Sequence, residues 1–154
     1  MNKIDFITGG TELLDLVQPL WEKLNNHHQA NSTYFQDKFN NLTFDIRKQK
    51  FINEINTEIR VDLAKDPSNQ VFVGYCISTI TVDSVGEVDS LYIDPAYRKF
   101  GIGDKLMTMS LEWLDSKNVR MKTIAVAEGN EKAFDFYKKY GFYERRTILE
   151  QVSK

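Results

Sequence analysis

The run Leu91-Tyr92-Ile93-Asp94-Pro95-Ala96-Tyr97-Arg98-Lys99-Phe100-Gly101-Ile102-Gly103 reads as an apolar strand, a turn at Asp94-Pro95, and a loop that delivers two glycines into the start of a helix. The helix that follows has the clearest period in the chain. Ile102, Leu106, Met109 and Trp113 recur at spacings of four, three and four, beside a second stripe of Met107, Leu111 and Leu114. Together they form an apolar face wide enough to cover a sheet, with Asp104, Lys105, Thr108, Glu112 and Asp115 turned mostly to solvent. Met121 to Ala127 then reads as a buried strand, Glu131 to Tyr140 as a helix, Gly141 as its left-handed cap, and Tyr143 to Val152 as a last strand. Strand, helix, strand, helix, strand predicts an α/β fold with a mixed sheet.

The start of a helix is an anion site, because its first N–H groups lack intrahelical partners and the macrodipole adds about half a positive charge there. Side chains at Gly101 or Gly103 would hold a phosphate away from those donors, and Arg98 supplies a forked, permanently charged partner. Two common owners of such a loop are excluded. A Walker loop needs Lys followed by Ser or Thr after its last glycine, whereas Gly103 precedes Asp104-Lys105-Leu106. A dinucleotide loop needs a third glycine three residues on, where Leu106 stands.

Upstream, Lys3 to Ile7 suggests a short strand, and Thr11 a cap for a helix running from Glu12 towards His28 that Pro19 kinks or divides. A second helical region spans about Tyr34 to Ile55. Lys65-Asp66-Pro67-Ser68-Asn69 predicts a turn joining strands Glu58 to Ala64 and Gln70 to Val82, and Gly86 opens another strand through Ile93. The chain has 154 residues, enough for one domain with a real core and no linker to divide it. Its net charge of −2 gives no electrostatic footprint for nucleic acid. The single Cys76 fits a reduced, cytoplasmic setting and reads as a small buried hydrophobe; no signal peptide and no bilayer-spanning apolar stretch is visible. Adjacent His27 and His28 point in different directions along a helix and do not predict a metal site.

Arg98-Lys99-Phe100-Gly101-Ile102-Gly103, with Asn130, Ala133 and Phe136-Tyr137 ahead of Tyr140-Gly141-Phe142, resembles the GNAT family of acyl-CoA-dependent N-acetyltransferases. The family signature is Arg or Gln, two residues, Gly, one residue, then Gly or Ala. The resemblance runs from about Val71 to Glu150 and implies a single GNAT-like domain: a mixed central sheet with splayed parallel strands, flanked by helices. It implies an acceptor side in the N-terminal helices, about residues 11–56, and a cofactor-binding core at about residues 70–152. The strands that splay would be Glu87 to Ile93 and Met121 to Ala127. Acetyl-CoA is then the cosubstrate, with no metal. Its pyrophosphate would lie on the amides of Arg98 to Gly103, its pantetheine arm near Asn130 and Ala133, and its thioester carbonyl on N–H groups of Leu91, Tyr92 and Ile93. The family usually has glycine after its arginine and then a basic residue; Lys99 and Phe100 stand there here. Phe100 could approach the adenine or pack on the helix.

Acetylating a primary amine needs a base, because the amine is mostly protonated at neutral pH, and the departing thiolate benefits from an acid. By the resemblance Glu87 is the base and Tyr137 the acid. Glu87 equally fits an exposed carboxylate at a strand start, Tyr137 a core aromatic, and Asn130 the N-cap of a helix at Glu131. The implied activity is acetyl transfer to the primary amine of a small molecule or peptide by direct attack, with a homodimer as the implied assembly. A non-catalytic acyl-CoA-binding sensor or interaction module is the competing reading. Asp62 and Glu58 offer negative charge for a cationic acceptor.

Overall fold

The structure, a computed structural model, describes residues 3–54 and 57–152. Five strands form one sheet in the order β1 (Asp5–Gly9), β2 (Glu58–Asp66), β3 (Val71–Ile80), β4 (Val85–Ile93) and β5 (Met121–Thr123). All neighbours are antiparallel except β4 and β5, which run parallel. This is the mixed sheet that the alternation of strands and helices predicts. The turn between β2 and β3 forms for the expected chemical reason: the Asp66 carboxylate accepts from the Ser68 N–H at 2.9 Å and its hydroxyl at 2.6 Å. Tyr97, in the loop after β4, donates to the same carboxylate at 2.7 Å and ties the two turns together.

β3 is buried from Val73 to Ile80 because helices cover both sheet faces. On one face, α1 (Leu14–Asn31), α2 (Gln36–Asn40) and α3 (Phe44–Asn53) enclose a core in which Val17, Trp21 and Phe44 meet Leu63, Tyr75 and Ile77. On the other, α4 (Ile102–Ser116) and α5 (Ala133–Lys138) cover Val73, Cys76, Ile80 and Val88; α4 buries Ile102 and Leu106 of the first predicted stripe with Met107 and Leu114 of the second, Leu111 and Trp113 pack partly buried beside them, and Met109 stays out of this core. Burying such a side chain is worth about 1.5–3 kcal/mol, so these two faces supply most of the driving force.

Several boundaries differ from the sequence reading. Thr11 does not cap α1: residues Thr11–Leu13 form a short 3-10 turn, and the Gly10 N–H is held instead by the Glu12 carboxylate at 2.9 Å. Pro19 sits inside a continuous α1, on its exposed side, where water can serve the carbonyl that loses its partner. The second helical region is two helices, because Thr43 caps α3 by accepting from the Ile46 N–H at 3.3 Å; its expected end at Ile55 lies outside the described residues. α5 is shorter than the predicted helix from Glu131 to Tyr140, although Gly141 does end it with φ +84°. Asn130 is not an N-cap through its side chain; its carbonyl accepts from the Ala133 N–H at 3.0 Å.

Tyr143 to Val152 is not a strand. A strand needs a ladder partner. This segment instead runs as exposed, irregular chain, linked to the helices by Lys138–Glu144 at 3.7 Å and by Lys38–Glu150.

Candidate active site

α4 starts at Ile102, directly after the left-handed Gly101 of the loop read as a candidate anion site. Gly101 has φ +78°, a conformation that glycine adopts without strain, and no atom lies within 4 Å of where its Cβ would be. The first bond of the helix runs from the Lys105 N–H to the Gly101 carbonyl at 3.0 Å, so the N–H groups of Ile102, Gly103 and Asp104 have no helical partner. A Cβ at Gly103 would make ordinary contact with the Phe136 ring of α5 at 3.5 Å, so α5 lies close beside the helix start. Arg98 donates through Nε to the Ile93 carbonyl at 2.9 Å and lies over the Tyr92 ring, which fixes the loop to the end of β4. Lys99 takes φ +77° and Phe100 is 49% exposed, so Phe100 does not pack into the helix. The Asp104 carboxylate would repel a phosphate, but Lys139 at 3.1 Å and the Tyr140 hydroxyl engage it.

Next to this loop the sheet opens. The β4–β5 ladder has three pairs, Val85 with Met121, Gly86 with Lys122 and Glu87 with Thr123, after which the strands part. The predicted strand from Met121 to Ala127 therefore stops pairing at Thr123, and residues 124–127 are partly exposed instead of buried. Polar backbone groups of β4 that would have met β5 are left facing a gap. A cavity of about 300 Å³ occupies it, with Leu91, Ala125, Ala127, Asn130 and Tyr137 in its wall. Burial, reinforced by nearby Cys76, pushes the Tyr137 hydroxyl up to about 12, so it keeps its proton at neutral pH. Cys76 is itself pushed up to about 12 by burial and is inert at neutral pH. Ala133 begins α5 behind this wall.

The face of β4 towards α1 and α3 carries the charged groups. A bulge interrupts its pairing with β3: Ile77 faces Ser90 but Ser78 faces Val88, so Asp89 is an extra residue. Asp89 lines the cavity and pairs with Arg47 of α3. Glu87 lies nearby, half-buried, and burial first, then Asp89, raises its pKa, while Arg47 and Lys50 oppose the rise. It sits at the last rung of the ladder, outside the cavity wall. Asp62 and Glu58 do not serve as free acidic groups. Asp62 is wholly buried and held by Arg60 Nε at 2.9 Å and Thr8 at 2.6 Å, and Glu58 pairs with Lys117 at 3.0 Å.

Three residues at this site escaped the sequence reading, Asp89, Arg47 and Glu128, and a fourth, His28, enters it only as a candidate metal ligand. Val17, Trp21, Leu24 and His28 follow spacings of four, three and four, which puts His28 on the inward stripe of α1, a signal that was available. His28 lines the cavity beside Phe39, ring centroids 5.4 Å apart. Its Nδ1 is buried with no hydrogen-bond partner among the described residues, a situation that costs about 1–3 kcal/mol. Among the described residues no group of three or more His, Cys, Asp or Glu side chains could hold a metal, and no helix is long and apolar enough to cross a membrane.

Glu128 joins the two sides of the cavity. From the loop after β5 its carboxylate accepts from the Ser32 hydroxyl, from the Thr33 N–H at 2.8 Å and from the Tyr34 N–H at 3.3 Å, just past the end of α1. Those bonds favour its charged form and lower its pKa. Gly129 makes the approach possible: it has φ +91°, and a Cβ there would collide with the Asn31 carbonyl.

Comparison with known proteins bears on the family and the fold. The acetyltransferase (GNAT) family model matches residues 14–142. An uncharacterized N-acetyltransferase of Methanocaldococcus jannaschii is 32% identical over 72 residues, which is 47% of this chain and 32% of that protein, so the match spans about a third of the relative's length. Among solved structures, an N-acetyltransferase from Thermoplasma acidophilum in complex with coenzyme A superposes with a TM-score of 0.73 at 19% identity, covering 96% of this chain and 94% of that one. The aminoglycoside acetyltransferase AAC(6')-Iy, in complex with a bisubstrate analog, superposes with a TM-score of 0.67 at 14% identity and covers 99% of both chains. At these identities the superpositions establish the fold.

Proposed function

The chain belongs to the GNAT acetyltransferase family, and from that premise we propose that it is an N-acetyltransferase that moves an acetyl group from acetyl-CoA to a primary amine by direct attack. One observation carries the reading: the unpaired N–H groups at the start of α4 follow the loop that leaves β4, the pairing of β4 with β5 ends at its third rung, and Tyr137 lines the cavity in the gap beyond it. A pyrophosphate suits the loop from Arg98 to Gly103, and an extended pantetheine arm suits the gap, with Asn130 beside it.

The residues divide the chemistry as follows. Leu91, Tyr92 and Ile93 offer backbone N–H donors to the thioester carbonyl oxygen as negative charge develops there. Glu87 receives, through water, the protons that the amine nitrogen gives up, and passes them to solvent. The nitrogen bonds to the carbonyl carbon, the carbon–sulfur bond breaks with its electron pair on sulfur, and Tyr137 protonates that sulfur before regaining a proton from water. A hydroxyl pushed up to about 12 is protonated at every pH at which the amine can be assayed, so it acts as a donor and not as a base. The cytoplasm, where Cys76 stays reduced, is the proposed setting.

The test is release of free thiol from acetyl-CoA in the presence of amine panels that include amino acids, polyamines, aminoglycosides and peptides. Turnover of at least one class is expected. Binding of coenzyme A with no thiol release from any panel would replace this reading with that of a non-catalytic acyl-CoA-binding module.

A further inference from the structure

The acceptor end of the cavity differs in chemistry from a site built for polycations. Its walls beyond the gap are Trp21, Leu24, Phe39 and Leu42, and the charged side chains that line it are Arg47 and Asp89. These two form an ion pair with each other, so neither is spare for a substrate charge. An amine carrying several positive charges needs several unpaired carboxylates around it. Asp62 and Glu58, the other acidic candidates, are held by Arg60 and Lys117.

What remains polar and uncommitted in this wall is the imidazole of His28. Its Nδ1 is buried with no partner among the described residues, and Nε2 is not among the buried atoms that lack one, which leaves Nε2 as the ring nitrogen a molecule in the cavity can reach. An apolar side chain of the same shape would fit beside Phe39 without leaving a nitrogen unsatisfied, so the ring brings no packing advantage. The imidazole thus breaks a local packing rule at the wall of a cavity, and such breaks mark functional positions. With nothing in the protein to fix its tautomer, Nε2 can accept an N–H from an incoming amine and leave the lone pair of that nitrogen free to attack. Tyr137 lines the same cavity from α5, so an amine held by His28 shares the space where the thiolate would be protonated.

Building on the acetyltransferase reading, we propose that the acceptor is a single primary amine carried on an apolar body, its nitrogen positioned by His28 and its body lodged against Trp21, Phe39 and Leu42. Burial and the neighbouring His27 hold the His28 imidazole below its ordinary pKa, in the neutral form that this contact requires.

Steady-state kinetics with acetyl-CoA would compare 2-phenylethylamine and tryptamine with neamine and spermidine. The apolar monoamines should show kcat/KM at least tenfold higher. The reverse order overturns this proposal and leaves the acetyltransferase reading intact, whereas no thiol release from either class overturns both. His28→Phe should raise KM for the amine about tenfold with KM for acetyl-CoA unchanged, and His28→Gln should restore part of it. An unchanged amine KM would defeat the positioning role. Should the Phe variant fail to fold, the wild-type protein with coenzyme A bound provides the readout: its His28 side-chain ¹⁵N resonance should shift on saturation with 2-phenylethylamine, and a static resonance overturns the contact.

Discussion

The donor and acceptor sides of the candidate site are built from different materials. Around Arg98 to Gly103 the functional groups are backbone N–H donors, available because a left-handed Gly101 turns the chain into α4. On the acceptor side they are side chains gathered from distant places: His28 from α1, Arg47 from α3, Asp89 from a bulge in β4 and Glu128 from the loop after β5. A backbone site requires particular residue types at fixed spacing and leaves a signature in the sequence. A side-chain site requires only that the fold bring residues together, and it leaves no motif of fixed spacing.

The contrast can be tested from the largest effect down. Tyr137→Phe should lower kcat about a hundredfold with little change in the affinity for coenzyme A. Equal kcat would move the acid role elsewhere and break the link between the two sides. Gly129→Ala should cost about 2 kcal/mol of stability, through strain at φ +91° and contact with the Asn31 carbonyl, read as a drop in melting temperature. An undisturbed Tm would mean that α1 does not need to lie so close to this loop. Glu87→Gln should reduce the rate about tenfold near neutral pH and remove the acidic limb of its pH profile. Because burial raises the pKa of Glu87, and a base works only when deprotonated, that limb should lie above the ordinary carboxylate range; a profile identical to wild type excludes Glu87.

Gly101→Ala should raise KM for acetyl-CoA about fivefold and leave the amine KM alone, since the left-handed conformation costs a residue with a Cβ about 1 kcal/mol. A change in the amine KM instead would blur the division between the sides. The smallest effect concerns Glu128→Gln. The folded pKa of Glu128 is depressed below 4.5, so its stabilisation is present above that value and is lost as pH falls through the folded pKa. The Tm difference between wild type and variant should therefore close on acidification; a gap that persists unchanged means that the charge is not what matters.

The same contrast explains how much was legible. The stripe on α4, the Asp66 turn and the Gly101 loop each follow from local chemistry, and each is present in the folded chain. The splay of β5 was implied by the family resemblance and not by the residues themselves, because Met121 to Ala127 is apolar enough for a buried strand whether or not a neighbour pairs with it. Tyr143 to Val152 has strand-like composition but pairs with no strand, and a ladder is a tertiary fact that composition does not decide. His28 was visible as a residue on the inward stripe; that its nitrogen lacks a partner depends on Phe39 and α2, which periodicity does not place.

The bulge at Asp89 has a bearing on how β4 is counted. Val88 and Leu91 face α4 while Ser90 and Tyr92 face α1, an alternation that stays in phase only if Asp89 is passed over. For the core, the strand is one residue shorter than it is for the chain. The added residue gives the cavity a carboxylate while every apolar neighbour keeps its side of the sheet, so in this strand function was inserted between the beats of the packing pattern and not substituted into it.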